Sequence, residues 1–441
     1  MEYIQTSFGA TNDLHPITEG FVYGMAPVGS EEEVQLKTQG FNETDYPAFG
    51  LIGNLNKEFA VYRKDVTYEK FRTGHIQGSG LTIFFFRNRD LSAHTLPANF
   101  TWMPGPEYGR EDRLWQGCPS IEITGQRTWA TWFSGGEREP DRGNYGIISY
   151  TEDGRQWKDP AMVIYHKDSA VRVMDTELWK DPLGRLWIFW TQNEGAKGFD
   201  GSWSTWAIYT TNPEANNPSW TKPKLICNGL TRNKPVVLST GEWLLPSYDW
   251  VTHQSKVYAS VDKGKTWKYR GGITNQPDDN FYEHMVVELK NGDLWMLQRN
   301  IQSSISKDKG KTWSTPDTLH QFNAANSRLF ISRLQSGRLL LIYNNDENKR
   351  RKNLTAFLSD DDGKTWPYSL VIDERDNVSY PEAIQHPDGL IQVIYDRSRT
   401  GAKEILIATF TEQDIISGKF KSPSSEEKIV ISKGGTSSSS Q

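Results

Sequence analysis

Ser260-Val-Asp-Lys-Gly-Lys-Thr-Trp267 is repeated almost unchanged as Ser306-Lys-Asp-Lys-Gly-Lys-Thr-Trp313 and Ser359-Asp-Asp-Asp-Gly-Lys-Thr-Trp366. A fourth copy, Tyr150-Thr-Glu-Asp-Gly-Arg-Gln-Trp157, keeps the acid, the glycine and the tryptophan. An octapeptide that returns about every fifty residues marks a chain built from blades. Its chemistry is that of a turn: Ser and Asp bond back to the backbone, Gly takes a positive φ, and Trp plugs the seam between neighbouring sheets. The motif reads as a structural clasp and not as a catalytic site.

A second repeat runs in phase with the first. Apolar strands flank a turn glycine around Gly125, Gly184, Gly241, Gly292, Gly337 and Gly389, for example in Val286-Val-Glu-Leu-Lys-Asn-Gly-Asp-Leu-Trp-Met-Leu297. Strand, tight turn, strand is a hairpin signal. The gaps between these glycines, 45 to 59 residues, suit a four-stranded propeller blade. Six hairpins therefore predict an all-β, six-bladed β-propeller. In the second blade an Asn/Pro loop ending in Trp220 replaces the octapeptide, and the last blade lacks it. No segment has a sustained helical period; Thr411 to Gly418 has room for one short turn. Residues 1–110 are expected to form an N-terminal β extension packed on the propeller or closing it, with a strand at Leu81-Thr-Ile-Phe-Phe-Phe86. The propeller is expected over 111–432. The small polar residues of 433–441 predict a disordered tail.

Composition excludes several classes. The formal net charge of −5, with 24% charged residues, offers no electrostatic case for nucleic acid or an anionic membrane. No run of 18 apolar residues exists to span a membrane. Cys118 and Cys227 lack partner spacing for a disulfide framework or a zinc site. The acids Asp360 to Asp362 read as a solvated loop, so neither metal nor cofactor is expected. The N-terminus has no signal-peptide pattern, which leaves a cytoplasmic protein or one whose signal peptide has been removed. The 17 tryptophans are mainly what blade seams require. The surplus Trp and Tyr are alternatively suited to stacking on the flat faces of sugars.

In a propeller the innermost strand of each blade faces the central channel. Reading back from the turn glycines gathers Gln116, Asp175, Glu177, Asn233, Lys234, Tyr282, Glu283, His284, Asn326, Ser327, Arg328, Ser379, Tyr380 and Glu382. The strands after the turns add Arg299, Asp396 and Arg397. Carboxylates, a Tyr, a His and several cations converging in this way suit an anionic sugar. In the run Lys349-Arg-Arg-Lys352, mostly solvated, Arg351 lies just before a strand and is placed to turn inward.

Octapeptides plus hairpins, over roughly 110 to 412, resemble the sialidase (neuraminidase) superfamily of Asp-box propellers. The resemblance implies a Tyr nucleophile with a Glu base, an Asp general acid/base and three Arg that clamp a substrate carboxylate. Position by position it assigns Tyr380 as nucleophile, Glu283 as base, and Arg299 with Arg351 as clamp residues. Asp141 in Glu137-Arg-Glu-Pro-Asp-Arg-Gly-Asn144 is the acid/base, with Glu137 and Glu139 as substitutes. The first clamp Arg fails to appear: its segment reads Trp115-Gln-Gly-Cys-Pro119, and Gln116 cannot give a charged bidentate contact. Arg328 or Lys234 is expected to compensate, with Asp175 and His284 lining the site. The implied activity is exo-hydrolysis of a terminal acidic sugar, such as sialic acid or a related sugar acid, from a glycan. The alternatives are a polysaccharide lyase with Tyr380 or His284 as base, a rhamnosidase-like hydrolase, and a non-catalytic carbohydrate-binding propeller.

Overall fold

The computed structural model describes residues 2–4, 13–14, 20–44, 48–51, 54–66, 71–72, 83–88, 96–141, 143–194, 203–249, 252–276 and 282–435. The fold is all-β and divides into two units, Met1–Ala93 and His94–Gln441. In the first unit, Gly20–Pro27 lies between Asn54–Val66 and Ile83–Asn88 in an antiparallel sheet. The strand expected at 81–86 is thus observed at Ile83–Asn88, with residues 81 and 82 outside the described residues. The unit also holds a helix, Glu31–Thr38, that the periodicity did not reveal. Its buried face is only Glu32 and Leu36, and its ends define it: the Ser30 hydroxyl accepts from the Glu33 N–H, and three glutamates occupy the first turn.

Among the described residues the second unit contains six sheets, each built around one of the six hairpins. Their inner strands or leading pairs begin at Gln116–Thr124, Val171–Lys180, Val236–Val237, Met285–Glu288, Phe330–Arg333 and Val378–Gln385. Five sheets are four-stranded. The first has a fifth strand, Asn99–Trp102, added outside Lys158–Tyr165. The sixth is completed by Glu426–Lys433, which pairs with Glu404–Phe410 after the helix Glu412–Ser417. That helix lies within the span expected to hold one turn; a Thr411/Asp414 capping box starts it and Gly418 ends it in the left-handed region. Beyond the last strand, the N–H groups of Gly434 and Gly435 donate to the carbonyls of Lys403 and Arg110. Residues 436–441 lie outside the described residues.

The octapeptides fold as clasps. In the first, the Ser260 hydroxyl donates to Asp262 Oδ1 at 2.9 Å and accepts from the Gly264 N–H at 2.8 Å. Asp262 also accepts from the Thr266 N–H and hydroxyl at 2.8 and 2.6 Å. Ser306/Asp308/Gly310/Thr312 and Ser359/Asp361/Gly363/Thr365 repeat these bonds. Glycine is needed for two reasons. Gly363 has φ +88°, and a Cβ there would lie 2.4 Å from the Trp295 ring of the preceding sheet. The acids flanking Asp361 are separately occupied: Asp360 pairs with Arg338 at 2.6 Å and Asp362 with Arg333 at 2.7 Å.

The inner strands are joined at the middle by a buried charge network. Arg232 donates to Glu177 at 2.5 Å and Arg328 to Glu382 at 2.8 Å, all four side chains fully buried. The Ser120 hydroxyl donates to Glu382 at 2.6 Å and accepts from the Leu178 N–H at 3.0 Å, linking the sixth, first and second sheets. Asn233 accepts from Arg328 Nε and donates to the carbonyls of Glu283 and His284, linking the third, fifth and fourth. Lys234 lies 3.1 Å from Glu122 and 3.4 Å from Glu382. Burial works to raise Glu382, but Lys234, Glu177, Arg328 and Ser120 outweigh it and hold the carboxyl down to about 2. Asp175, whose Oδ1 is 3.5 Å from Arg232 Nε, behaves oppositely: burial pushes it up to about 7 despite the Arg232 charge.

Two stability measurements follow. Gly363→Ala should cost about 2 kcal/mol or more through backbone strain plus the clash with Trp295. Gly337→Ala, at φ +84° with open space around its Cβ site, incurs only the backbone part. Urea midpoints should therefore fall further for Gly363→Ala, and equal losses would mean that the clasp is not seated on Trp295. For Asp175, a folded-state value raised from 3.8 to about 7 means the native state holds the proton more tightly. Its favourable contribution is present below pH 4 and is lost as pH rises to 7. The stability of Asp175→Asn relative to wild type should therefore increase from pH 5 to pH 8; a flat or falling difference would contradict the assignment.

Candidate active site

Tyr380 and Glu283 come from the sixth and fourth sheets and meet in the interior, each only 4% exposed. The Tyr380 hydroxyl donates to Glu283 Oε1 at 2.6 Å. Arg299, from the end of the strand following the fourth turn, completes the group. Its Nε donates to Glu283 Oε2 at 2.7 Å, and its Nη2 reaches both that oxygen and the phenol oxygen. The backbone that presents this pair is in the left-handed region, with φ +55° at Tyr380 and +38° at Glu283. Such conformations are uncommon for non-glycine residues and persist only where the surroundings over-determine them. Asp175 and Cys118 share them, at +49° and +57°. At Cys118, Asp175 and Tyr380 the pairing register of the inner strand also breaks. The break turns a single side chain out of the pleat while the strand continues.

Charge dominates the surroundings of Tyr380. The guanidinium carbons of Arg399, Arg351, Arg299 and Arg232 lie 4.1, 5.4, 5.5 and 5.6 Å from its ring centroid. Burial pushes the phenol well above its usual range; Arg299 opposes this and Glu283 reinforces it. The resting phenol thus keeps its proton, and its short hydrogen bond to Glu283 offers a path for losing it. Apolar packing on the same side comes from Trp115, Phe133, Met174, Trp203, Leu230, Tyr248 and Tyr282.

The structure brings together Tyr380, Glu283, Arg299 and Arg351, and it gives Arg328, Lys234, Gln116 and His284 partners elsewhere. Arg328 and Lys234 belong to the buried charge network, so neither stands free to replace a missing clamp. Gln116 is fully buried: its Nε2 donates to the Lys403 carbonyl at 2.5 Å, and its Oε1 accepts from Trp132 Nε1 at 3.1 Å. His284 donates from Nε2 to the Lys256 carbonyl at 2.8 Å, and burial lowers its value to about 4, so it is neutral and turned toward another strand. Asp141 lies in the loop after Arg127–Ser134, where its carboxylate accepts from the Glu137 N–H at 3.1 Å. Among the described residues no cluster of His, Cys, Asp or Glu is arranged to hold a metal ion. Cys118 and Cys227 are buried free thiols, and among the described residues no helix is long and apolar enough to cross a membrane.

Two cations escaped the sequence reading. Arg232 had a signal: the inward residue stands nine positions before the turn glycine, at 175 before 184, 232 before 241, 283 before 292, 328 before 337 and 380 before 389. Counting strictly would have selected Arg232 instead of its neighbours Asn233 and Lys234. Arg399 had no such signal. It lies in the turn after Ile391–Arg397, and its guanidinium crosses to the first sheet.

Residues 126–393 match the BNR repeat-like domain. Over 269 residues the chain is 26% identical to a sialidase of Bacteroides fragilis, covering 54% of this chain and 47% of that protein. Over 211 residues it is 27% identical to a sialidase of Paraclostridium sordellii, covering 40% and 50%. The chain thus spans about half the length of these curated relatives. Among solved structures, a Hadza microbial sialidase superposes with a TM-score of 0.56 at 16% identity, covering 92% of this chain and 93% of that one. The intramolecular trans-sialidase from Ruminococcus gnavus also gives 0.56, at 14% identity over 72% and 98%. Likeness at that level is likeness of fold. With more than half of its residues inside the matched domain, the chain belongs to the BNR repeat-like domain family of the sialidase superfamily.

Proposed function

We infer that the second unit is a six-bladed β-propeller and that the chain is an exo-acting glycoside hydrolase. The substrate is a glycan ending in an acidic sugar, sialic acid or a related sugar acid. The observation that carries this reading is the buried 2.6 Å hydrogen bond from Tyr380 to Glu283, bridged by Arg299. A phenol with its proton aimed at a carboxylate is an activated nucleophile that is neutral at rest. It can approach an anomeric carbon beside a carboxylate without charge repulsion. The phenol oxygen attacks that carbon and its proton passes to Glu283, while Asp141 protonates the departing glycosidic oxygen. In the second half Asp141 takes a proton from water, the water oxygen replaces the phenol, and Glu283 returns the proton to Tyr380. Arg299 orients Glu283 and the phenol oxygen, and Arg351 faces the substrate's negative charge. The family relationship and the sialidase relatives support this class of reaction. A lyase using His284 is disfavoured because that ring is bonded to Lys256 and buried.

A screen of aryl glycosides of sialic acid, keto-deoxy acids, uronic acids and deoxy sugars tests the class. Tyr380→Phe and Glu283→Gln should each lower kcat by about 100-fold or more on whichever glycoside is turned over. Near-normal rates in either variant would exclude the assigned pair. Asp141→Asn should slow substrates with poor leaving groups about 100-fold but spare those with activated aryl leaving groups, because only the former need protonation. Equal losses on both would remove Asp141 from the acid role.

A further inference from the structure

The guanidinium of Arg399 lies 4.1 Å from the Tyr380 ring centroid and 5.8 Å from that of Trp115. It reaches there because the first sheet makes room. A Cβ on Gly117 would stand 2.8 Å from Arg399 Cδ and Nε, so any larger residue would displace the side chain. The first sheet also holds the loop that carries it. The Gln116 N–H donates to the Arg399 carbonyl at 3.3 Å, and the Gln116 amide donates to the Lys403 carbonyl at 2.5 Å. Arg399 Nε donates to Asp396 Oδ2 at 2.9 Å, and Asp396 is itself fully buried and accepts from the Cys118 N–H and the Ser379 hydroxyl. One edge of the guanidinium is thereby fixed. The rest is not spent on the fold. Nη2 has no hydrogen-bond partner, and Nη1 donates to Glu139 Oε2 at 3.1 Å. Glu139 belongs to the loop between Arg127–Ser134 and Tyr145–Thr151, with its side chain 31% exposed.

We propose that Arg399 is the substrate-carboxylate receptor on the first-sheet side of the site, and that Glu139 occupies its Nη1 until a sugar carboxylate displaces it. Gly117 and Gln116 are then positioning residues for a cation supplied by the sixth sheet. A carboxylate on the outer edge of a guanidinium shows what that edge recognises, and one held on a partly exposed loop can be exchanged for another. The remaining positive charge near Tyr380 is divided among Arg299, paired with Glu283, Arg232, paired with Glu177, and Arg351, for which no carboxylate partner is seen among the described residues. Arg399 and Arg351, both beside the Tyr380 ring, would thus grip an anion together. This assignment deepens the hydrolase reading by naming the charged group of the substrate, and it rests on that reading for the location of the anomeric carbon.

The test is equilibrium binding by calorimetry, which needs no turnover. Sialic acid and glucuronic acid are each compared with their methyl esters, on wild type and on Arg399→Gln, Arg399→Lys, Gly117→Ala and Glu139→Gln. Wild type should bind one of the acids at least about tenfold more tightly than its ester, as the loss of a charge-assisted hydrogen bond implies. Arg399→Gln should lower the affinity for that acid about 10- to 100-fold and leave the ester unchanged, with Arg399→Lys between. Gly117→Ala should weaken the acid in the same direction while the arginine is still present, which keeps the test decisive if Arg399→Gln fails to fold. Glu139→Gln should do the reverse and tighten the acid severalfold, an effect that a merely structural Arg399–Glu139 pair would not produce. Retention of the acid preference in Arg399→Gln or in Gly117→Ala would overturn the proposal. So would the absence of any such preference in wild type, including failure to bind either acid. The hydrolase reading stands or falls separately, on turnover of aryl glycosides by the wild-type chain.

Discussion

Charges without water must be neutralised by partners, and in this chain that constraint governs the centre. Arg232, Glu177, Arg328 and Glu382 are fully buried, and each is held by a partner from a different sheet. Removing one member of such a pair typically costs about 3–5 kcal/mol, because the other is left charged in a poor solvent. The six sheets are therefore joined in one arrangement. Ser120 joins the first, second and sixth, Asn233 the third, fourth and fifth, and the ion pairs close the remaining gaps. The network stabilises less than its short distances suggest, since dehydrating the groups costs much of what pairing returns. Its effect is on which sheet lies beside which.

The clasps, which the second and sixth sheets lack, work in the turns between strands and by short-range forces. Ser and Asp bind the turn's own backbone, and Gly264 and Gly363 let their turns sit against Trp187 and Trp295 of the preceding sheets. Clasp and turn glycine set the register of the hairpin. Counting back along the strand then determines which residue is turned inward. Asp175, Arg232, Glu283, Arg328 and Tyr380 all occupy that one position. A single repeated geometry thus supplies both halves of the centre. Arg232 and Arg328 complete the buried network, whereas Tyr380 and Glu283 face each other beside it.

In the proposed reaction, the chemistry at that centre follows from proximity of unlike groups in a dry place. Burial alone would make Tyr380 a poor nucleophile by holding its proton. A carboxylate accepting that proton at 2.6 Å changes the outcome, and Arg299 fixes the geometry by bonding both groups. The strained backbone at Tyr380 and Glu283 is tolerated because their side chains are tied to each other and to Arg299, all three buried.

Much of this was legible along the chain because it is local. The octapeptides, the turn glycines, the strand alternation and the short helix after Thr411 all depend on residues within about ten positions of one another, and their periodicity locates the inner strands. Tyr380, Glu283 and Arg299 were reached by position within that repeat. The helix Glu31–Thr38 was missed because only two of its residues are buried, so it lacks the apolar stripe on which periodicity depends. Which charges are spent and which remain was decided only by the tertiary structure. Arg328, Lys234 and Gln116 have the right chemistry for a ligand, but folding gives them internal partners. Arg399 has no place in the repeat, yet it reaches Tyr380 because Gly117, 282 positions earlier, leaves it space. Sequence determined the repeat because backbone turns are governed by neighbouring residues. Only the folded chain decided the composition of the site, because burial and charge pairing depend on residues brought together from different sheets.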